Sequence, residues 1–238
     1  MIKIKTEIIS LKVSDGTSMD AYVAIPDDNN KYPGLLLFQE AFGVNGHIKD
    51  LSERFSREGY VVISPELFHR TEPGFQGSYS DFQATRQHIQ ALTEPGLIAD
   101  ILASYLWLES NSKVLKSQIG STGYCLGGRV SVLANVTVPL KASASYYGSN
   151  IAATIADRLP NASGPLLLFW GGLDKHLGKD QINDLTTKLD EYGKEYTNVV
   201  FSKADHGFFC DVRESYNPIA AKQAWDLTNT FFNLHLKV

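Results

Sequence analysis

The sequence of 238 residues is poor in sulfur, with two cysteines, Cys125 and Cys210, and two methionines. So few cysteines exclude a disulfide scaffold and a structural zinc site rich in thiolates. An excess of one charge is also missing. Lys and Arg number 22 against 26 Asp and Glu, a net charge of −4, which offers nucleic acid no basic footprint. No apolar run reaches the ~18 residues of a membrane span. The N-terminal stretch alternates polar and apolar residues and lacks the apolar core and cleavage site of a signal peptide. A reducing cytoplasm is therefore expected, and the acceptor-like triplets at Asn135 and Asn161 carry no weight there. No repeat, low-complexity tract or Pro/Gly/Ser linker divides the chain, so a single domain over 1–238 is expected. No His-x-x-x-His or equivalent spacing occurs, so neither a metal nor a cofactor is expected.

What is present is an alternation of two periodicities. Lys3–Leu11 and Met19–Ile25 read as a hairpin around Ser14-Asp15-Gly16-Thr17. Gly34–Gln39 is a short continuous apolar run, the pattern of a strand buried on both faces. Further strands are predicted over Tyr60–Ser64, Ser117–Thr122, Ala142–Tyr147, Pro165–Gly171 and Thr197–Ser202. Helices are predicted over Ile48–Glu58, Gly96–Glu109, Gly127–Val136 and Lys179–Tyr192. A last helix begins at Asn217-Pro218, an N-cap followed by proline at the first helical position, and runs to about Leu234. Strands alternating with helices imply a mostly parallel α/β sheet covered on both faces, with any site at the carboxyl ends of the strands.

The most informative stretch is Ile119–Arg129. A predicted strand runs into Gly123-Tyr124-Cys125-Leu126-Gly127 and a predicted helix follows. This is the nucleophile elbow G-x-S-x-G with cysteine in place of serine. The tight strand-to-helix turn crowds the residues two before and two after the nucleophile, which explains the glycines. The following helix lends its N-terminal dipole to a thiolate or an oxyanion, and the Leu126 amide is a predicted oxyanion donor. An elbow demands an acid and then a histidine, each just past a later strand. Leu166–Asp174 is an apolar strand, a glycine turn and Asp174; Asn198–His206 is a strand and then His206. Alone, Asp174 reads as a cap or turn residue and His206 as a surface histidine; in this order and context they complete a triad with Cys125. His176 is the nearest rival, but lies too close to Asp174 along one loop to reach Cys125.

These segments resemble the dienelactone hydrolases, a family with the α/β-hydrolase fold. The resemblance spans nearly the whole chain and is carried by Gln39–Asn45, Pro65–Phe68, Gly123–Gly128, Tyr146–Gly148, Gly171–Asp174 and Ala204–Phe208. It implies the triad Cys125, His206 and Asp174. It also implies that Glu40 keeps the resting thiol protonated and helps deprotonate it when substrate arrives, and that the Ala41 amide is a second oxyanion donor. Family members acting on dienelactone hold the substrate carboxylate with two arginines. One position is occupied here by Cys210, and Arg86 is the candidate for the other. The expected substrate is therefore a lactone or activated ester, with a neutral lactone, ester or thioester as suitable as an anionic one.

Phe42, Tyr147 and Phe208, with Phe68, Phe75 and Tyr79, are candidate walls of the acyl pocket. The expected partner is that small molecule alone, with no nucleic acid and no membrane, and the protein a monomer or homodimer. Other functions weighed on the same residues are a thioesterase or broad carboxylesterase, a non-catalytic binding protein, and a redox sensor pairing Cys125 with Cys210.

Overall fold

The computed structural model describes residues 2–237, in two compact units, one ending at Gly120 and the other beginning at Ser121. The first unit opens with β1 (Ile4–Lys12) and β2 (Ser18–Pro26), the expected antiparallel hairpin, in register from Ile4↔Pro26 to Lys12↔Ser18. β3 (Tyr32–Phe38) leads through α1 (Gly46–Arg57) to β4 (Val61–Pro65). β4 pairs parallel to β3 and antiparallel to β2, giving the order β1-β2-β4-β3. Leu35, Leu36, Leu37 and Phe38 are fully buried, which accounts for the unbroken apolar run of β3. Helix α1 packs on β2, β3 and β4. Its N-cap, Asn45, accepts a hydrogen bond from the Ile48 amide.

Helices α2 (Phe82–Ala91) and α3 (Glu94–Ser110) follow, and β5 (Val114–Tyr124) crosses into the second unit. A buried ion pair fastens the hairpin turn to α3. Arg70 donates twice to Asp100, at 2.8 Å each, and once to Asp15 at 2.7 Å, while His69 Nε2 lies 3.1 Å from the same Asp100. The Asp100 side chain is fully buried, so these contacts are its replacement for water.

The second unit is parallel throughout: β5, β6 (Ser143–Tyr146), β7 (Leu166–Gly171) and β8 (Tyr196–Phe201) pair in chain order. Between them lie α4 (Leu126–Asn135), α5 (Ile151–Ile155) with a 3-10 turn at Ala156–Asn161, and α6 (Lys179–Glu191). The chain closes with α7 (Pro218–Leu236), capped by Asn217, whose side chain accepts from the Ala220 amide. Among the described residues no helix is long and apolar enough to cross a membrane.

Three features depart from the periodicity. Helix α2 was not expected, because only Thr85 and His88 of its ten residues are buried and the rest give no apolar stripe. The short helices at 151–161 are likewise too brief for a period to show. β5 starts three residues early, where Lys116-Ser117-Gln118 interrupts the alternation and Ser117 takes φ 64°.

Candidate active site

Strand β5 ends at Tyr124 and α4 begins at Leu126, so Cys125 is the one residue of the turn. Its backbone is at φ 55°, ψ −114°, a region that costs a side-chain-bearing residue on the order of 1–3 kcal/mol. The cost is offset by main-chain bonds. The Cys125 amide donates to Tyr146 O at 2.9 Å, and its carbonyl accepts from Gly128 N at 3.0 Å. A Cβ at Gly123 would lie 2.0 Å from Gly127 O, so the chain can turn this tightly only without a side chain there. The first amides of α4, Leu126 among them, have no carbonyl within the helix to bond and face the turn.

The loop after β7 carries Asp174 and the loop after β8 carries His206. Main-chain bonds join them: Gly172 N to Phe201 O at 2.9 Å and Leu173 N to Ala204 O at 2.9 Å. His206 Nδ1 lies 2.7 Å from Asp174 Oδ2. Asp174 Oδ1 accepts from the amides of His176 at 2.8 Å and Leu177 at 3.1 Å. With both carboxylate oxygens engaged, the acid is fixed as an acceptor, which sets Nδ1 as donor and leaves Nε2 as the ring atom available to Cys125. Burial of Asp174 opposes its ionisation. The hydrogen bond and charge of His206, with the two amides, outweigh this and hold the carboxyl below its usual range. Burial of His206 likewise disfavours its charged form. The charge on Cys125 and the hydrogen bonds to Asp174 and Cys125 prevail, and push the imidazole up to about 10.

The aromatic surroundings fix the ring. Tyr147, fully buried and at φ 41°, lies 5.1 Å from the His206 ring centre, and the His176 ring stands 5.7 Å away on edge. Phe208 is buried behind Tyr147 at 5.3 Å and against Phe201 at 5.2 Å, so it is a wall behind the histidine. His176, the sequence rival of His206, contributes its backbone amide and the edge of its ring.

Cys125, Leu126, Asp174, His206, Tyr147 and Phe208 thus come together in one unit. Glu40, Ala41 and Phe42 form one buried stretch after β3 in the other. There Tyr79 donates to Glu40 Oε2 at 3.4 Å, and Phe42 packs 4.5 Å from the Tyr79 ring. Phe68 and Phe75 pack on each other and on His88. Arg86 stands on the exposed side of α2, beside a shallow depression lined by Asp81, Gln83, Ala84, Gln87 and Gln90. Arg129, on α4, is half-buried, and burial pulls its guanidinium below its ordinary range.

The profile of the Dienelactone hydrolase family matches residues 19–236. The chain belongs to the dienelactone hydrolase family. It is 31% identical over 248 residues to a Synechocystis protein named "Putative carboxymethylenebutenolidase", with 99% of each chain covered. It is 24% identical over 231 residues to a Bradyrhizobium protein named "Probable 2-oxo-3-(5-oxofuran-2-ylidene)propanoate lactonase", covering 94% of this chain and 92% of that one. The crystal structure titled "Putative Dienelactone Hydrolase" from Klebsiella pneumoniae superposes with a TM-score of 0.88 at 28% identity, over 97% of this chain and 98% of the other. The mostly parallel sheet with an N-terminal antiparallel hairpin is thus that of a dienelactone hydrolase.

Proposed function

We propose that the protein hydrolyses a lactone or an activated carboxylic ester through an acyl-enzyme on Cys125. The observation that carries this is His206, bonded through Nδ1 to the buried Asp174 at 2.7 Å and raised in pKa by the neighbouring Cys125. The Cys125 sulfur attacks the substrate carbonyl, and the negative oxygen of the tetrahedral intermediate takes the Leu126 amide at the start of α4. Collapse breaks the ester C–O bond, and the departing oxygen takes the proton held by the His206 imidazolium. Neutral His206, still oriented by Asp174, then removes a proton from the water that attacks the thioester, and the thiolate is released.

A thiolate leaves a tetrahedral intermediate more readily than an alkoxide does. Cys125 would therefore be expelled by simple alkyl esters and amides, and activated acyl groups such as enol lactones and thioesters are favoured. The lactonase name of the Bradyrhizobium relative supports the lactone member of that set. The scarcity of cysteine supports a reducing compartment, the cytoplasm, as the place of reaction.

The roles that the resemblance gives to Glu40, an acid switching the state of the thiol, and to the Ala41 amide belong to the same proposal and rest on sequence. Within its own unit Glu40 is completely buried. If Glu40→Gln leaves the iodoacetamide reactivity of Cys125 unchanged with and without a substrate analogue, that role is removed. The central test is an activated aryl ester: Cys125→Ala is expected to lose turnover and the acyl adduct seen by intact mass. Hydrolysis at the wild-type rate by Cys125→Ala would end the reading.

A further inference from the structure

Two strands are paired on one side only, and they are defended differently. β1, bonded to β2, carries Lys5, Glu7 and Lys12, charges of the kind that keep an edge strand from pairing with another chain. β8, bonded to β7, has no charge, proline or glycine in Tyr196–Phe201. Among the described residues no strand pairs with its other side. Val200 on this strand is 50% exposed, and Ile219 at the start of α7 is 72% exposed. Ile219 lines a groove of about 270 Å³ together with Phe201, Ser202 and Lys203.

The register with β7 decides which main-chain groups of β8 point outward. Leu166 stands beside Tyr196 and its amide donates to Glu195 O at 3.0 Å; Gly171 stands beside Phe201, and the Gly172 amide donates to Phe201 O at 2.9 Å. In a parallel ladder alternate residues face the partner strand. Glu195, Thr197, Val199 and Phe201 therefore turn their main-chain groups to β7, while Tyr196, Asn198 and Val200 turn theirs away. A second β8 can pair here only where outward residues meet outward residues. The flanking charges select one such register. Lys194 is occupied within the chain, donating to Ala162 O at 3.3 Å, and the Asp205 carboxylate accepts from the His206 amide at 2.7 Å. Glu195 and Lys203 are exposed, and among the described residues neither side chain has a hydrogen bond or an ion pair. Each lies four positions from Val199, so antiparallel pairing centred on Val199 sets Glu195 against Lys203 at both ends. The same register sets Asn198 against Val200, both of them outward residues.

We propose that β8 is the interface of a homodimer, in which two copies of this chain join edge to edge and antiparallel about a two-fold axis at Val199. Glu195 of each copy faces Lys203 of the partner subunit, as the self-complementarity of a two-fold contact requires. The Val200 amide donates to Asn198 O of the partner subunit, and the Val200 carbonyl accepts from the amide of the same residue. Val200 and Ile219 supply apolar surface beside the ladder. The loop that holds His206 leaves the strand at Ser202, so the pairing braces its base. The contact is independent of the chemistry at Cys125.

The test is sedimentation equilibrium of the full-length protein over a wide range of concentration at low salt. Wild type is expected to show a monomer–dimer equilibrium. Glu195→Lys and Lys203→Glu each set like charges opposite one another at both ends, and each is expected to weaken the dimer about tenfold. The double variant Glu195→Lys with Lys203→Glu restores opposite charges and is expected to return the dissociation constant to near the wild-type value. Val200→Pro removes an amide that points away from β7, so the internal ladder survives and a folded monomer is expected, checked by circular dichroism. Wild type that stays monomeric throughout overturns the interface. A dimer that either single reversal leaves as tight as wild type, a double variant no tighter than the single ones, or a folded Val200→Pro that still dimerises overturns it equally, since the contact would then lie on another surface.

Discussion

His206 Nδ1 and Asp174 Oδ2 stand 2.7 Å apart although 32 residues separate them in sequence. The Asp174 side chain is wholly buried and that of His206 only 12% exposed, so water competes little for the bond. Replacing the acid by its amide keeps the shape and reverses the hydrogen-bond preference. Asp174→Asn is expected to cost about 10²–10⁴-fold in kcat on an activated aryl ester, with a melting temperature near that of wild type. A variant within a few-fold of wild type would show that the orientation of His206 does not limit the reaction.

The imidazole provides a direct reading of the charge beside it. Its pKa is pushed up to about 10, above the ordinary histidine value. The stability contributed by this pair is therefore complete below about pH 6.5 and is lost as pH rises toward the folded value. NMR of the His206 ring is expected to show it protonated through neutral pH. In Cys125→Ala the contribution of the sulfur is removed, and the titration is expected to move down toward the ordinary value. An unchanged titration in that variant would separate Cys125 from His206.

The elbow is expected to reject a single methyl group. At Gly123 the added Cβ would meet backbone, Gly127 O at 2.0 Å and Gly127 C at 2.3 Å, and no rotamer change can relieve it. Gly123→Ala is expected to lose about 3 kcal/mol or more in urea unfolding, and to abolish turnover in whatever folds.

A prediction far from the chemistry tests the first unit. Asp100→Ala leaves Arg70 and His69 without their shared acceptor; His69 Nδ1 already lacks a hydrogen-bond partner. The expected loss is about 3–5 kcal/mol in equilibrium unfolding. The activity per folded molecule is expected to stay at the wild-type level.

The positions of Asp174, His206 and Cys125 were legible because each follows a strand that its composition betrays. Leu166–Gly171 and Tyr196–Phe201 announce where Asp174 and His206 must fall, and glycine spacing announces Cys125. The left-handed backbone of Tyr147 was not legible, since an aromatic residue gives no local reason to adopt it. It is imposed by its neighbours, among them the bond from Tyr147 N to Phe169 O at 2.8 Å. Helix α2 escaped notice because a helix that buries two residues leaves no period to read.

The bonds that anchor the turn at Cys125 and the loops of Asp174 and His206 run between main-chain atoms: Cys125 N to Tyr146 O, Gly172 N to Phe201 O and Leu173 N to Ala204 O. Main-chain bonds do not depend on which side chain each residue carries. Most loop residues are thus free to change while the places of Cys125, Asp174 and His206 are held by the backbone. A TM-score of 0.88 at 28% identity is the outcome such scaffolding allows.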